Sequence, residues 1–339
     1  MSEHGHPHRV SNHSRATRRS VAVLALAATL ASCGGTSTKS TAKDNPSATS
    51  PTTAEGATTS AKANVSSSAA TPTSAAPTTT AAQLTITVAK KVWYGGFEIA
   101  IENAVFTASP QAKPSKRPGD LVINATVVNL TDKGLNFGYL DFTEVSLDTK
   151  GETTPTRLEG KSVPEGGRAK VTITTTLPDF DEKDAVLLFG GPKFNQAKVP
   201  LGAGAATTIA PTKPTVAGTS ATPGGLSATI TSAQLAPFPL TASGGGEARQ
   251  AKAGEMFLKL NIRIAYSGTG NNAIFNMALV RPDGLTNADE ANGGFKVIDP
   301  GQQSDGFIEF AVPSPPAGKY VFRFSGSQNA DKAEIAFTL

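Results

Sequence analysis

From residue 83 to residue 339 apolar and polar side chains alternate with a period of two. Met256, Leu258, Leu260, Ile262 and Ile264 share one face of a segment, and Lys259, Asn261 and Arg263 share the other. Leu121, Ile123, Ala125 and Val127 repeat the pattern earlier in the chain, as do Ile173, Thr175 and Leu177, then Ile308, Phe310 and Val312. Such alternation predicts half-buried strands, and one wet face predicts antiparallel pairing. Gly, Pro and Asp turns bound the segments and no 3.6-residue stripe interrupts them, so the expected fold class is all-β, built as sandwiches.

The strand segments also occur twice. Gly119–Val127 aligns with Gly254–Ile262 at an offset of 135, and the same offset relates Val163–Gly166 to Ile298–Gly301 and Val186–Gly191 to Val321–Gly326. Gly95-Gly96-Phe97 matches Gly224-Gly225-Leu226 at an offset of 129. The expected organisation is two tandem copies, 83–201 and 224–339, joined by a linker over 202–223. Each has about 115 residues, enough for one modest core.

The amino-terminal third reads differently. Arg9, Arg15, Arg18 and Arg19 precede an apolar run of 11 residues, Val21–Ala31. That run suits the core of an export signal, whereas a spanning helix needs about 20 apolar residues. It ends in Leu30-Ala31-Ser32-Cys33, which resembles the bacterial lipobox. The resemblance implies signal-peptidase recognition through Leu30, Ala31 and Ser32, cleavage of residues 1–32, and acylation of the Cys33 thiol. Thr17-Arg18-Arg19 also looks like a twin-arginine signal, although paired arginines are common in ordinary Sec leaders. Residues 33–82 are almost wholly Ser, Thr, Ala and Pro. They cannot bury enough surface to offset ordering entropy, so a disordered tether spanning roughly 35–42 Å as a coil is expected. Dense Ser and Thr also make it a candidate for O-glycosylation.

A second resemblance rests on the opening Gly95-Gly96 strand, Gly119-Asp120 before the long alternating strand, Val128-Asn129-Leu130-Thr131-Asp132 at its end, and the Pro164-Glu165-Gly166 and Pro300-Gly301 turns. Together they are similar to the Ig-like module of secreted actinobacterial immunoprotective antigens and of Gram-positive lipoproteins of unknown function. The resemblance covers both copies and implies two immunoglobulin-like antiparallel β-sandwiches. Copy two departs from it at Ala265-Tyr266-Ser267-Gly268, where the Asn-x-Thr segment is lost.

Composition narrows the chemistry. The only cysteine is Cys33, which excludes an internal disulfide framework. All four histidines lie at positions 4, 6, 8 and 13, so the chain from Cys33 onward has none. A Ser-His-Asp or Cys-His triad and an ordinary zinc site are thereby excluded, and neither an enzyme, a metal nor a cofactor is expected. Residues 1–32 hold four Arg and one Glu, leaving the mature chain only +1 of the total +4. Without a basic patch interleaved with aromatics, nucleic acid is not an expected partner.

Surface candidates are few. Lys113, Lys116 and Arg117 form a basic loop, with Arg249 and Lys252 in the matching loop of copy two. They suit phosphate-bearing envelope polymers, or simply keep a sheet edge soluble. Trp93-Tyr94 is either a contact patch or a cap on the first core. The alternating Leu84, Ile86 and Val88 just upstream favour the cap. Asp179–Asp184 and Asp283, Asp289 and Glu290 read as solvated turns rather than cation sites. The expectation is a non-catalytic, lipid-anchored protein on the outer face of the plasma membrane, presenting two Ig-like sandwiches for envelope or extracellular binding. The alternative is an accessory lipoprotein that hands a small or lipidic molecule to a transporter, which needs an enclosed apolar cavity.

Overall fold

The computed structural model describes residues 81–110, 116–139, 145–241, 249–269, 275–295, 297–326 and 332–339. The export signal, the tether up to residue 80, Leu30–Cys33 and Lys113 therefore lie outside the described residues, while Ala82, expected to end the tether, already accepts Ala108 N–H on its carbonyl at 2.9 Å. Those described are all-β, with a single 3-10 turn at Phe137–Tyr139. No described helix is long and apolar enough to cross a membrane.

The first block contains β1 (Gln83–Tyr94), β2 (Phe97–Ala108), β3 (Gly119–Asn129), β4 (Leu135–Asn136), β5 (Val145–Thr149) and β6 (Glu152–Pro155). It continues with β7 (Arg157–Leu158), β8 (Ser162–Val163), β9 (Arg168–Leu177), β10 (Ala185–Phe189) and β11 (Ala197–Pro200). The second contains β12 (Gly218–Ala221), β13 (Leu226–Ala236), β14 (Glu255–Tyr266), β15 (Phe275–Val280) and β16 (Thr286–Asn287). It closes with β17 (Ala291–Gly293), β18 (Gln303–Pro313), β19 (Lys319–Gly326) and β20 (Lys332–Thr338). Each block has a five-stranded sheet, β1-β2-β3-β9-β7 or β12-β13-β14-β18-β17. Each also has a four-stranded one, β11-β10-β5-β6 or β20-β19-β15-β16. All pairings are antiparallel and the two orders correspond strand for strand.

Period-two alternation sends alternate side chains inward from both sheets of a block. Ile99, Leu121, Ile123 and Ile173 meet Leu147, Leu187 and Phe189 in one apolar cluster, and Leu258, Leu260, Ile308 and Phe310 meet Leu279, Phe322 and Phe324 in the other. Burial of such surface, at about 25 cal/mol per Å², is the main term holding each block together.

The registers refine the internal repeat. Glu102 is an extra residue between Ile101 and Asn103 in β2, and Thr231 is its counterpart between Ile230 and Ser232 in β13, at the offset of 129. Beside the bulge Asn124 Nδ2 donates to Asn103 Oδ1, and Asn261 Nδ2 donates to Ser232 Oγ, both at 2.7 Å. The long strands therefore correspond at an offset of 137, not 135, while β9 and β18 keep 135. A slip of two residues leaves every side chain on its original face, which is why the inward set was still read correctly.

The segment expected to be a linker, 202–223, is not one throughout. Its end forms the edge strand β12, paired with β13. Thr207 pairs with Lys198 and Thr212 with Leu235 on the way. Small residues look like linker composition, but here they fit close packing, since a Cβ on Gly218 would collide with Ile335 Cγ2. Lys90 fixes the start of this stretch, its ammonium donating to Pro200 O at 2.5 Å and Gly202 O at 2.6 Å. Burial lowers the Lys90 pKa from its ordinary value.

The Asn-x-Thr segment is an internal brace. Asn129 is fully buried; its Nδ2 donates to Lys133 O, Val163 O and Pro164 O, and its Oδ1 accepts from Thr131 N–H and Oγ1. Tyr266 occupies the equivalent place in the second block. There its hydroxyl donates to Thr269 O at 2.9 Å. Asn129→Ala strands several buried polar groups, each worth about 1–3 kcal/mol. A loss of about 3 kcal/mol in urea unfolding of the full chain is expected; a change under about 0.5 kcal/mol would show the brace to be dispensable.

Candidate functional site

The two blocks are joined edge to edge by backbone and amide hydrogen bonds. The loop leading into β14 lies against Lys193–Asn195, with Asn195 N–H donating to Ala251 O at 3.0 Å and Ala253 N–H to Lys193 O at 2.9 Å. Asn195 Nδ2 donates to Glu255 O, and its Oδ1 accepts from Gly254 N–H. Gln250 spans the joint, receiving Gly95 N–H on Oε1 and donating through Nε2 to Asn195 O. An apolar patch completes the contact: Ala236, Phe238 and Leu240 of the second block pack with Trp93 and Leu130 of the first.

Sequence candidates find their places in this frame. Neighbouring residues on a strand face opposite ways, so Trp93-Tyr94 is not one patch. Tyr94 is buried in the first core, its ring 6.0 Å from Phe189, and is corrected from binding candidate to core residue. Trp93 points the other way, into the joint. Lys116 and Arg117 are exposed; Arg117 N–H donates to Asp179 Oδ1 at 2.8 Å, and its guanidinium lies 5.6 Å from the Phe106 ring centroid. That N–H is the main cause lowering the Asp179 pKa. Phe180 of the same acidic run is buried and stacked 4.5 Å from Phe106, so the run is an anchored turn. In the second block's basic loop, Lys252 pairs with Phe194 across the joint.

Beside the joint lies an open groove of about 670 Å³, lined in part by Glu255, Arg281, Asn287, Asp289, Glu290 and Ala311. It forms where the chain crosses from β16, at the edge of one sheet, to β17, at the edge of the other. β17 pairs with β18 only at Phe307–Glu309, and Asn287 Nδ2 instead caps the next edge carbonyl, Ala311 O, at 2.5 Å. Asp283 engages Arg281 at 2.6 Å, offsetting the groove's single guanidinium. Three carboxylates then dominate, so the groove favours ligands bearing cationic or hydrogen-bond-donating groups. Asp289 and Glu290, read from the sequence as solvated turn residues, are brought to this groove together with Glu255. No sequence signal links Glu255 to the adjacent pair Asp289-Glu290, because it opens β14 and they lie in the connection from β16 to β17.

One buried ionisable group escaped the sequence reading altogether. Glu309 is only 1% exposed, and Leu240 N–H donates to its Oε1 at 2.7 Å while Oε2 has no hydrogen-bond partner. Among the described residues, no group of three or more His, Cys, Asp or Glu converges as a metal site would require.

No family model matches the chain, and no curated protein matches it. The solved structure of the conserved domain protein from Bacillus anthracis is similar at 10% identity and a TM-score of 0.23, covering 75% of this chain and 90% of that chain.

Proposed function

We propose that this is a non-catalytic, lipid-anchored surface protein whose two sandwich blocks, each Ig-like, act as one binding platform. Cys33 carries the acyl anchor, residues 33–82 form the tether, and the platform faces the cell wall or exterior. The observation that carries this reading is the open, acidic groove of the second block, whose Ala253–Glu255 wall continues from the loop hydrogen-bonded to the first block. The groove's charged lining suits a polar ligand, such as an envelope polymer or protein segment with amine or guanidinium groups, better than an acyl chain. That favours the binding platform over the carrier of lipidic molecules.

Crosslinking on intact cells, followed by mass spectrometry, tests the reading. Asp289→Asn/Glu290→Gln is expected to lower the recovery of crosslinked partners at least tenfold, while Lys116→Ala/Arg117→Ala leaves them unchanged. The reverse outcome would move the binding surface to the basic loop, and no partners with wild type would remove the binding role.

A further inference from the structure

Glu309 belongs to β18, whose alternate residues Ile308 and Phe310 enter the second core, so its side chain stands on the opposite, outer face of the sheet. That face is normally wet. Here the segment Ala236–Thr241 and the first block cover it. From β14, Lys259 lies directly across the pairing, but its ammonium sits 4.4 Å from the Phe307 ring centroid. From β17 comes Ala291, with Glu290 N–H bonded to the Glu309 carbonyl at 2.8 Å. From the first block comes Asp132, whose N–H donates to Leu240 O at 3.2 Å and whose negative charge acts on the Glu309 carboxyl. The covering segment offers the N–H groups of Leu240 and Thr241, while Thr241 Oγ1, like Glu309 Oε2, is buried without a partner.

We propose that Glu309 is a proton-operated latch of the joint: its neutral carboxyl keeps Ala236–Thr241 seated between β18 and the first block, and its ionisation lifts that segment. A carboxylate with one unsatisfied oxygen is far costlier to bury than a carboxylic acid. Burial is the largest influence and pushes the Glu309 pKa up to about 7, against the N–H groups and Lys259, with Asp132 adding to the rise. A lifted segment exposes the group to water, where its ordinary value is 4.5. The closed joint therefore binds the proton more tightly than the open one. Closure is fully favoured below about pH 4.5, weakens as pH rises through about 7, and then levels off, up to about 300-fold weaker than at low pH. The groove would feel the change, because Ala253–Glu255, which line it, adjoin the loop that closes the joint. The latch does not depend on what the groove binds.

Trp93, the chain's single tryptophan, packs on the covering patch and reports its state. In the full-length protein, Trp93 emission between pH 4 and 9 is expected to show one transition, with its midpoint between about pH 4.5 and 7. Amide exchange at Leu240, corrected for its intrinsic pH dependence, should speed up in parallel. Glu309→Gln, neutral at every pH, should abolish the transition and stay closed. Asp132→Asn removes a like charge that acts on the ionised, closed state and should make the opening at high pH smaller. A flat wild-type profile overturns the latch. So does a transition surviving in Glu309→Gln, which retains every histidine, or an opening enlarged by Asp132→Asn.

Discussion

Cys33→Ala is expected to transfer the protein from the membrane fraction to the medium almost completely. Each buried methylene of an acyl chain contributes about 0.8 kcal/mol, and a single myristoyl-length chain binds membranes only marginally, with an association constant of about 10⁴ M⁻¹. Stable attachment thus requires the two or three chains that a lipobox cysteine carries, and removing the thiol removes them together. Neither the disordered composition of 33–82 nor the +1 charge of the chain beyond residue 32 offers a second means of attachment. Fractionation of cells expressing the wild-type and variant full-length chains, with immunodetection, checks this. Undiminished membrane retention of the variant would refute the anchor.

Phe106→Ala is expected to cost about 3–5 kcal/mol in urea unfolding of the full chain. Phe106 is fully buried, and its ring is sandwiched between the first core and Phe180, with the Arg117 guanidinium nearby. Truncation leaves a cavity and also frees the Asp179–Asp184 turn, whose attachment to the core is the Phe180 ring. Phe180→Ala alone should cost less, and the double variant should cost less than the two singles combined. The coupling expected for stacked rings is about 0.5–1.5 kcal/mol. Strict additivity would show that the rings do not act as a pair.

Much of the fold is legible in the alternation, for a local reason. A strand whose sheet is wet on one side must alternate, so Leu121, Ile123 and Ala125 name their own inward face whatever their partners are. Even the repeat alignment, wrong by two residues in the long strands, preserved those faces. Trp93-Tyr94 shows the limit of the same rule. Alternation separates the two rings to opposite faces, and the Leu84–Val88 strand upstream favours packing over a surface patch. What Trp93 packs against is Phe238 and Leu240, about 145 positions away, which no local pattern records. Composition misled at 202–223 because an edge strand needs only small residues and one neighbouring ladder.

Asp289, Glu290 and Glu309 mark where sequence reading stops. In the chain all three occupy positions that alternation assigns to a wet face or a turn. For Asp289 and Glu290 that holds, and their significance comes from Glu255 being carried beside them by β14. For Glu309 it fails, because a second block and the Ala236–Thr241 segment settle over the face on which it stands. The sequence by itself determined the strand periods and the inward faces, since alternation depends on residues close together in the chain. Only the tertiary structure decided the joint, the acidic groove and the burial of Glu309. Whether a polar face meets water is set by what packs on it, and here that is chain about 70 to 180 residues distant.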